Sequence, residues 1–292
     1  MKSSISEIGY ALPLTVASIF LLLLILELLF PLRLRKRPFV RRFTVNICLS
    51  AIALATGALA VKPVALGLAR WTTMQSFGLL HMLRLPTVWH FVIGFLLLDV
   101  SFYYWHRANH EFRFLWRFHN VHHGDPDLDV STSFRFHFAE VLLSTVFRAV
   151  QVGLTGVSPM ILTAYEVTFQ CATMFHHSNV RLPIRAERLL NKFMVTPRMH
   201  GIHHSMVKAE TNSNYSVIFR WWDSMHRSLR LNVPQSHIDI GVPAYQSTGD
   251  NEILPLFAMP FRKQREYWRL TDGTESQREA SGLEKSVGFL QE

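Results

Sequence analysis

The sequence predicts an all-α integral membrane protein: a helical bundle with a cytosolic helical cap that carries a histidine-rich two-metal site. Three observations predict it. Of the 292 residues, 49% are hydrophobic and only 17% charged, where soluble domains carry roughly a quarter charged residues. The apolar residues collect in runs long enough to cross a bilayer, and mean hydropathy is +0.15. Eleven of the fifteen histidines fall between His106 and His204. The same composition excludes disorder, collagen and a disulfide scaffold. The two cysteines, Cys48 and Cys171, lie inside apolar stretches, as buried thiols do.

The first run, Ala11 to Phe30, is apolar except for Glu27. Its length matches the ~30 Å hydrocarbon layer at ~1.5 Å per residue. It is too long for a signal peptide, and no small-residue cleavage site follows it. Arg33, Arg35, Lys36, Arg37, Arg41 and Arg42 come directly after, and such a block marks the cytoplasmic side; the amino terminus is then outside. A second stretch, about Thr44 to Ala69, is interrupted by Lys62 and Pro63, and a third runs from about Val88 to Trp105. Only Arg70 and Arg84 lie between them, which suits the outer side. The third span therefore returns the chain to the cytoplasm at His106. Ala139 to Val157 and Pro159 to Phe175 read as two further helices joined at Gly153, Gly156 and Pro159. Arg148 and Gln151 are expensive at a bilayer centre, so this pair reads as two full spans or a shallow re-entrant hairpin. Either way His106, His123, His177 and His204 all face the cytoplasm. From about Arg181 the chain is polar without another span, and Arg262 to Glu292 reads as a short helix and a frayed tail. The predicted organisation is an N-terminal transmembrane region (1–87), a histidine-rich domain (88–230) and a C-terminal cytosolic tail (231–292).

The histidines stand in three clusters at helical spacing. His106 and His110 form H-x-x-x-H at the end of the third run; His119, His122 and His123 form H-x-x-H-H, which His200, His203 and His204 repeat. Residues three and four apart share a helix face, about 5–6 Å from one another, so each cluster can aim two or three imidazoles at one point. Thr196 and Pro197 supply an N-cap and a first helical position for the last cluster. A lone histidine such as His81, His90, His226 or His237 is ordinarily a satisfied core or surface residue. Eight clustered ones differ, because leaving partly buried imidazoles unpartnered costs roughly 1–3 kcal/mol each, and protonated together they repel. Neutral imidazole is a good ligand for iron, zinc or copper, and eight ligands exceed what one ion uses, so two metals are implied. The scarcity of Cys argues against an iron–sulfur cluster, and the scarcity of clustered carboxylates against a ferritin-like bundle.

The ordered pattern H-x-x-x-H, H-x-x-H-H, H-x-x-H-H beside membrane helices resembles the fatty acid hydroxylase and sterol desaturase superfamily. Further pieces agree: DVSFYYWHRANH from Asp99, LWRFHNVHH from Leu115, TSFRFHFAE from Thr132, FHHSNV from Phe175, TPRMHGIHH from Thr196, then Asn214-Tyr215 and Trp222-Asp223. The resemblance covers about Val88 to Leu229. It departs at Met225-His226-Arg227, where many members read Phe-Gly-Thr, and at Phe138, where Pro is common. The resemblance implies a di-iron site from His106, His110, His119, His122, His123, His200, His203 and His204. It adds His137 and His177 as further ligands, with His176 less secure beside His177. Asp99, Glu140 and Asn214 are then the groups that orient the imidazoles from behind.

Such a site implies O2-dependent hydroxylation or desaturation of a lipid: a sterol, fatty acyl chain or related apolar substrate entering from the bilayer. Zinc lacks the redox chemistry that O2 requires. The chain has no G-x-G-x-x-G, haem segment or Cys cluster, so a separate ferredoxin, cytochrome or reductase must deliver the electrons. A net charge of +9 suits an acidic donor or anionic lipid headgroups. Because the cations flank apolar spans, no nucleic-acid partner is expected. The bacterial inner membrane is the favoured location, with the endoplasmic reticulum as the other. Two alternatives stand: a di-zinc membrane hydrolase, although H-E-x-x-H is absent, and a non-catalytic metal-binding or transport protein, although transporters place ionisable groups within spans.

Overall fold

Long apolar runs without internal breakers leave the backbone no better hydrogen-bond partners than its own carbonyls, and the chain answers with helices. The computed structural model describes residues 2–83 and 85–278, with side chains from residue 14 onward; isolated bridges but no strand occur among the described residues. Helix α1 (Lys2–Leu29) carries the first run. Glu27 is fully buried on it and accepts the backbone N–H groups of Val130 (3.0 Å) and Asn179 (2.9 Å), with Arg35 at 3.6 Å. The one charge in the run therefore pins α1 to loops on either side of the histidine helices.

Helix α2 (Phe39–Thr56) passes through a π turn (Gly57–Val61) into α3 (Lys62–Met74). Lys62 and Pro63 interrupt the apolar run but not the helix. Proline lacks an N–H and crowds the carbonyl one turn back, and the wider turn immediately before it gives that ring room. After short α4 (Leu79–Met82) come α5 (Thr87–Glu111), α6 (Arg113–His123), α7 (Phe138–Thr155) and α8 (Pro159–His177). Among the described residues, Phe39–Met82, Thr87–Glu111 and Phe138–Thr155 are long and apolar enough to cross a membrane, and Leu14–Leu29 is a shorter apolar helix. Arg84, read above as an outer-side cation, lies outside the described residues.

The bundle core is built from Ala65, Ala69, Leu80, Leu98, Val152, Ile161, Leu162 and Tyr165. Helix α7 shows why a charged residue is tolerated there. Its outward stripe, Leu142, Val146, Val150 and Leu154, is exposed, as a lipid-facing stripe at i, i+4 should be. Arg148 turns inward, with Nη1 donating to Gln151 Oε1 (2.6 Å) and Nη2 2.9 Å from Glu166. Gln151 in turn donates to Leu98 O (3.0 Å) and Ser101 Oγ (2.6 Å).

Helices α9 (Ile184–Leu190) and α10 (Pro197–His203) follow, with short α11 (Lys208–Thr211), α12 (Trp221–Met225) and α13 (Ile253–Ala258). The segment beyond residue 231 is no loose appendage. Val242, Tyr245, Leu256 and Met259 pack with Val45 and Leu49 of α2 and Trp116 and Val121 of α6. The short helix expected after Arg262 is not formed in 262–278, which makes turns and a bridge between Arg269 and Glu275. The expected frayed end, 279–292, lies outside the described residues.

Candidate metal centre

Helix α5 ends with His106 and His110, α6 returns with His119, His122 and His123, α8 ends on His177, and α10 brings His200 and His203 with His204 at its C-cap. These nine imidazoles form two groups. One holds His106, His110, His119, His123 and His203; the other holds His122, His177, His200 and His204; within each, the ligand nitrogens lie within 4.8 Å of one another. All are buried except His110, which is half-buried. Each H-x-x-H-H cluster, expected to aim two or three imidazoles at one point, aims two. The i, i+4 pairs stay together (His106/His110, His119/His123, His200/His204), while the remaining histidine of each triplet, His122 or His203, crosses to the other group. Adjacent helix positions point about 100° apart, so each triplet serves both groups and locks them side by side.

Four rings have Nδ1 fixed from behind. His106 Nδ1 lies 2.7 Å from Tyr215 O, His203 Nδ1 2.6 Å from Ser213 O, His119 Nδ1 2.7 Å from Glu140 Oε1, and His177 Nδ1 2.8 Å from Thr173 O. An acceptor there holds the ring proton on Nδ1 and leaves the Nε2 lone pair free to ligate. The Nε2 atoms accordingly converge: His106 with His203 at 3.1 Å, His177 with His122 at 3.1 Å and with His200 at 3.0 Å, and His204 with His200 at 3.1 Å. His119 Nε2 and both ring nitrogens of His123 have no hydrogen-bond partner among the described residues. Burial, reinforced by neighbouring imidazoles, pushes His122, His123, His200, His203 and His204 well below the usual imidazole range. Neutral buried rings with converging, unpartnered nitrogens fit two metal cations.

The other expected site residues divide. Glu140 is where orientation requires it, on His119. His137 joins neither group; it stands at the N-cap of α7, where Nδ1 accepts Ala139 N–H at 3.1 Å. His176 packs its ring 4.1 Å from that of His200, with Nδ1 3.2 Å from Val217 O. Asp99 hydrogen-bonds no imidazole among the described residues and instead accepts Trp222 Nε1–H (2.7 Å) and Phe219 N–H (3.3 Å), tying α5 to the 213–223 loop. Asn214 also acts at one remove. Its φ of 55° is the left-handed region that Asn tolerates better than most residues. Its side chain holds Met199 O (2.9 Å), Arg230 O (2.7 Å) and Arg230 N–H (2.7 Å). That bend presents the flanking carbonyls of Ser213 and Tyr215 to His203 and His106. Thr196 precedes α10 as expected, but its side chain makes no cap bond.

Sequence reasoning missed the scaffold behind the histidines. Asp223 accepts Tyr215 and Ser216 N–H, each at 2.9 Å, and Ser228 Oγ–H at 2.6 Å, fixing the carbonyl-bearing loop. Buried Arg42 reaches Asp125 (2.9 Å) and is paired with Asp129, while Asn46 Nδ2 donates to Asp125 at 2.8 Å. Opposing charges hold Asp125 below the usual carboxylate range against the burial that would raise it. Arg33 packs where a Cβ on Gly201 would have to sit and donates to Gln235 Oε1 at 2.6 Å. The alternating acids in Gly124-Asp125-Pro126-Asp127-Leu128-Asp129 were the available signal.

Residues 91–228 match the profile of the fatty acid hydroxylase family. The chain is 31% identical over 180 residues to the ornithine lipid hydroxylase OlsE of Rhizobium tropici, covering 61% of this chain and 52% of that protein. It is 30% identical over 149 residues to the alkylglycerol monooxygenase of Danio rerio, covering 50% of this chain and 32% of the relative. A cholesterol 25-hydroxylase-like protein of Danio rerio is 28% identical over 204 residues, covering 64% and 68%. The chain thus spans about half the length of the first relative and about a third of the second. No solved structure matches the chain.

Proposed function

We propose, for a chain that belongs to the fatty acid hydroxylase superfamily through its residues 91–228, that it hydroxylates a C–H bond of a membrane lipid with O2 at a di-iron centre. The observation that carries this reading is the pair of interlocked neutral imidazole groups at the end of an apolar helix bundle. His106, His110, His119, His123 and His203 would hold one ion, and His122, His177, His200 and His204 the other. Bound iron would supply the redox capacity to reduce O2, which zinc lacks. The chain supplies the rest: carbonyls and Glu140 hold the ring protons on Nδ1, burial excludes water, and the apolar helices below receive the lipid chain. One oxygen atom enters the C–H bond and the other leaves as water, which requires two electrons and two protons from outside.

The relatives' names, an ornithine lipid, an alkylglycerol and cholesterol as substrates, support lipid hydroxylation over desaturation. Residues 88–230 form the catalytic part in this reading. The cation block of residues 33–42 sits at the histidine end of the bundle, with Arg33 against Gly201 and Arg42 on Asp125. By the positive-inside rule this supports a cytoplasmic site in a multi-pass protein, and the likeness to a lipid hydroxylase of Rhizobium tropici supports a bacterial inner membrane.

Two measurements test the reading. Elemental analysis of the purified protein should find two irons per chain, and one ion or bound zinc would sink the di-iron centre. Lipids from expressing cells should contain a product one oxygen atom heavier than its precursor, made only in air and labelled from isotopic O2. A product two hydrogens lighter assigns desaturation, and turnover without air assigns the hydrolase.

A further inference from the structure

Trp116 stands between the histidine groups and the protein surface. Its ring centroid lies 4.9 Å from that of His110 and 5.3 Å from that of His123, both in the same group. On its other side it stacks on Trp268 at 5.6 Å and 27°, with Tyr267 6.0 Å away. Trp116 is 4% exposed, whereas Trp268 and Tyr267 reach the surface half-buried. A continuous ring contact thus leads from two ligand imidazoles to solvent. The Trp116 Nε1–H meets no acceptor among the described residues, although buried indoles ordinarily find one. Ring packing, not a hydrogen bond, sets its position.

The surface around Trp268 carries cations of a different kind from the block at 33–42. In that block Arg35 is paired with Glu27, Lys36 with Asp239, Arg41 with Glu252, and Arg42 with Asp125. Here Arg113, Arg262, Lys263 and Arg269 are exposed, Arg117 is half-buried, and none makes an ion pair among the described residues. Arg113 and Arg117 stand on α6 with Trp116, three residues before it and one after it. Arg265 is committed to Asp250 and Arg107 to Glu111, which leaves Glu266, Asp272 and Glu275 as the acids nearby in sequence. Five unpaired cations against three acids leave this face positive.

We propose that Trp268 and Trp116 form the entry route for electrons, and that an acidic single-electron carrier protein docks on the face of Arg113, Arg117, Arg262 and Lys263. This rests on the iron reading above. Each encounter oxidises the carrier by one electron and reduces one ferric ion to ferrous; two encounters supply the two electrons of one hydroxylation. The tryptophans are neither oxidised nor reduced overall. Their stacked rings narrow the gap that the electron must tunnel, and orienting a redox group against its partner is the protein's task in such chemistry. The cations speed encounter with an acidic partner, an effect that salt suppresses.

The test uses the full-length, iron-loaded ferric protein, with reduced acidic [2Fe–2S] ferredoxin as the protein donor and dithionite as the small diffusible one. The rate of ferrous iron formation is followed spectroscopically. Trp268→Ala should slow ferredoxin-driven reduction about tenfold, a barrier of about 1.4 kcal/mol, while Trp268→Phe keeps most of the rate. Arg262→Glu with Lys263→Glu should slow it too and flatten its salt dependence. Dithionite-driven reduction and iron content should be unchanged in all variants. Wild-type ferredoxin rates in Trp268→Ala, or equal losses with both reductants, overturn the route; unaltered salt dependence in the charge variant overturns the docking face. A wild-type protein with no reducible iron overturns the reading beneath, an outcome distinct from both.

Discussion

At the scale of single residues, the histidines are positioned by atoms that carry no signature of their own. Glu140 holds the ring proton of His119 at 2.7 Å. Removing such a partner typically costs 10–100-fold in metal affinity, so Glu140→Ala should lose iron to a graded chelator at about 10–100-fold lower concentration. Glu140→Gln keeps an acceptor and should recover most of the affinity; equal losses in both variants would count against the orienting role. His137 and His203 provide the opposite comparison. His203→Ala opens the first ligand group and should lower iron below two per chain. His137→Ala should retain both ions and cost the cap of α7, about 1 kcal/mol, together with the Nε2 contact to Phe257 O. Metal analysis beside thermal unfolding separates the two effects, and iron loss in His137→Ala would return that residue to the ligand set.

At the scale of elements, the bundle is joined by buried charges at the histidine end. Arg42 on α2 and Asp125 in the loop after α6 are 4% and 0% exposed as side chains, against 57% and 50% for Arg41 and Glu252. Breaking a buried pair strands a charge and costs about 3–5 kcal/mol, whereas an exposed pair contributes about 0–1 kcal/mol. Arg42→Ala should therefore unfold far more readily in denaturant than Arg41→Ala, although the two cations are neighbours. Similar losses would mean that the Arg42 network is not what ties α2 to the histidine helices. Helix α10 makes a related point. Its start after Thr196 follows from Pro197, but its placement depends on contacts remote in sequence: Asn214 holds Met199 O, and Arg33 lies against Gly201.

At the scale of the whole molecule, the buried rings make stability depend on pH. His122, His123, His200, His203 and His204 are held below the ordinary imidazole range by burial and by one another. In the unfolded chain each takes up a proton near pH 6.5, while in the folded, metal-free chain each does so only at lower pH. Between those limits the unfolded state binds more protons, so stability falls as pH drops, by up to about 1.4 kcal/mol per pH unit for each histidine. The metal-free protein should lose thermal stability steeply from pH 7 to pH 5 and gain little from pH 7 to pH 8. A flat profile across pH 5–7 would mean that these rings are solvated and not held neutral.

The sequence by itself determined the helices and most of the clustered histidines, because both are local. Apolar runs such as those of α5 and α7 must be helical to satisfy their backbones, and spacings of three and four place His119, His122 and His123 on one side of α6 whatever surrounds them. It also located Glu140, through a motif. Only the tertiary structure decided how the rings divide, that His122 and His203 cross between groups, that His137 caps a helix, and that Asp99 and Asn214 support the site through backbone and indole contacts. It alone revealed Glu27, Arg42 and Asp223 as the fixings of the loops. Periodicity reports which face a side chain takes, not what meets it there, and each of these residues matters through a partner brought near only by the packing of the helices.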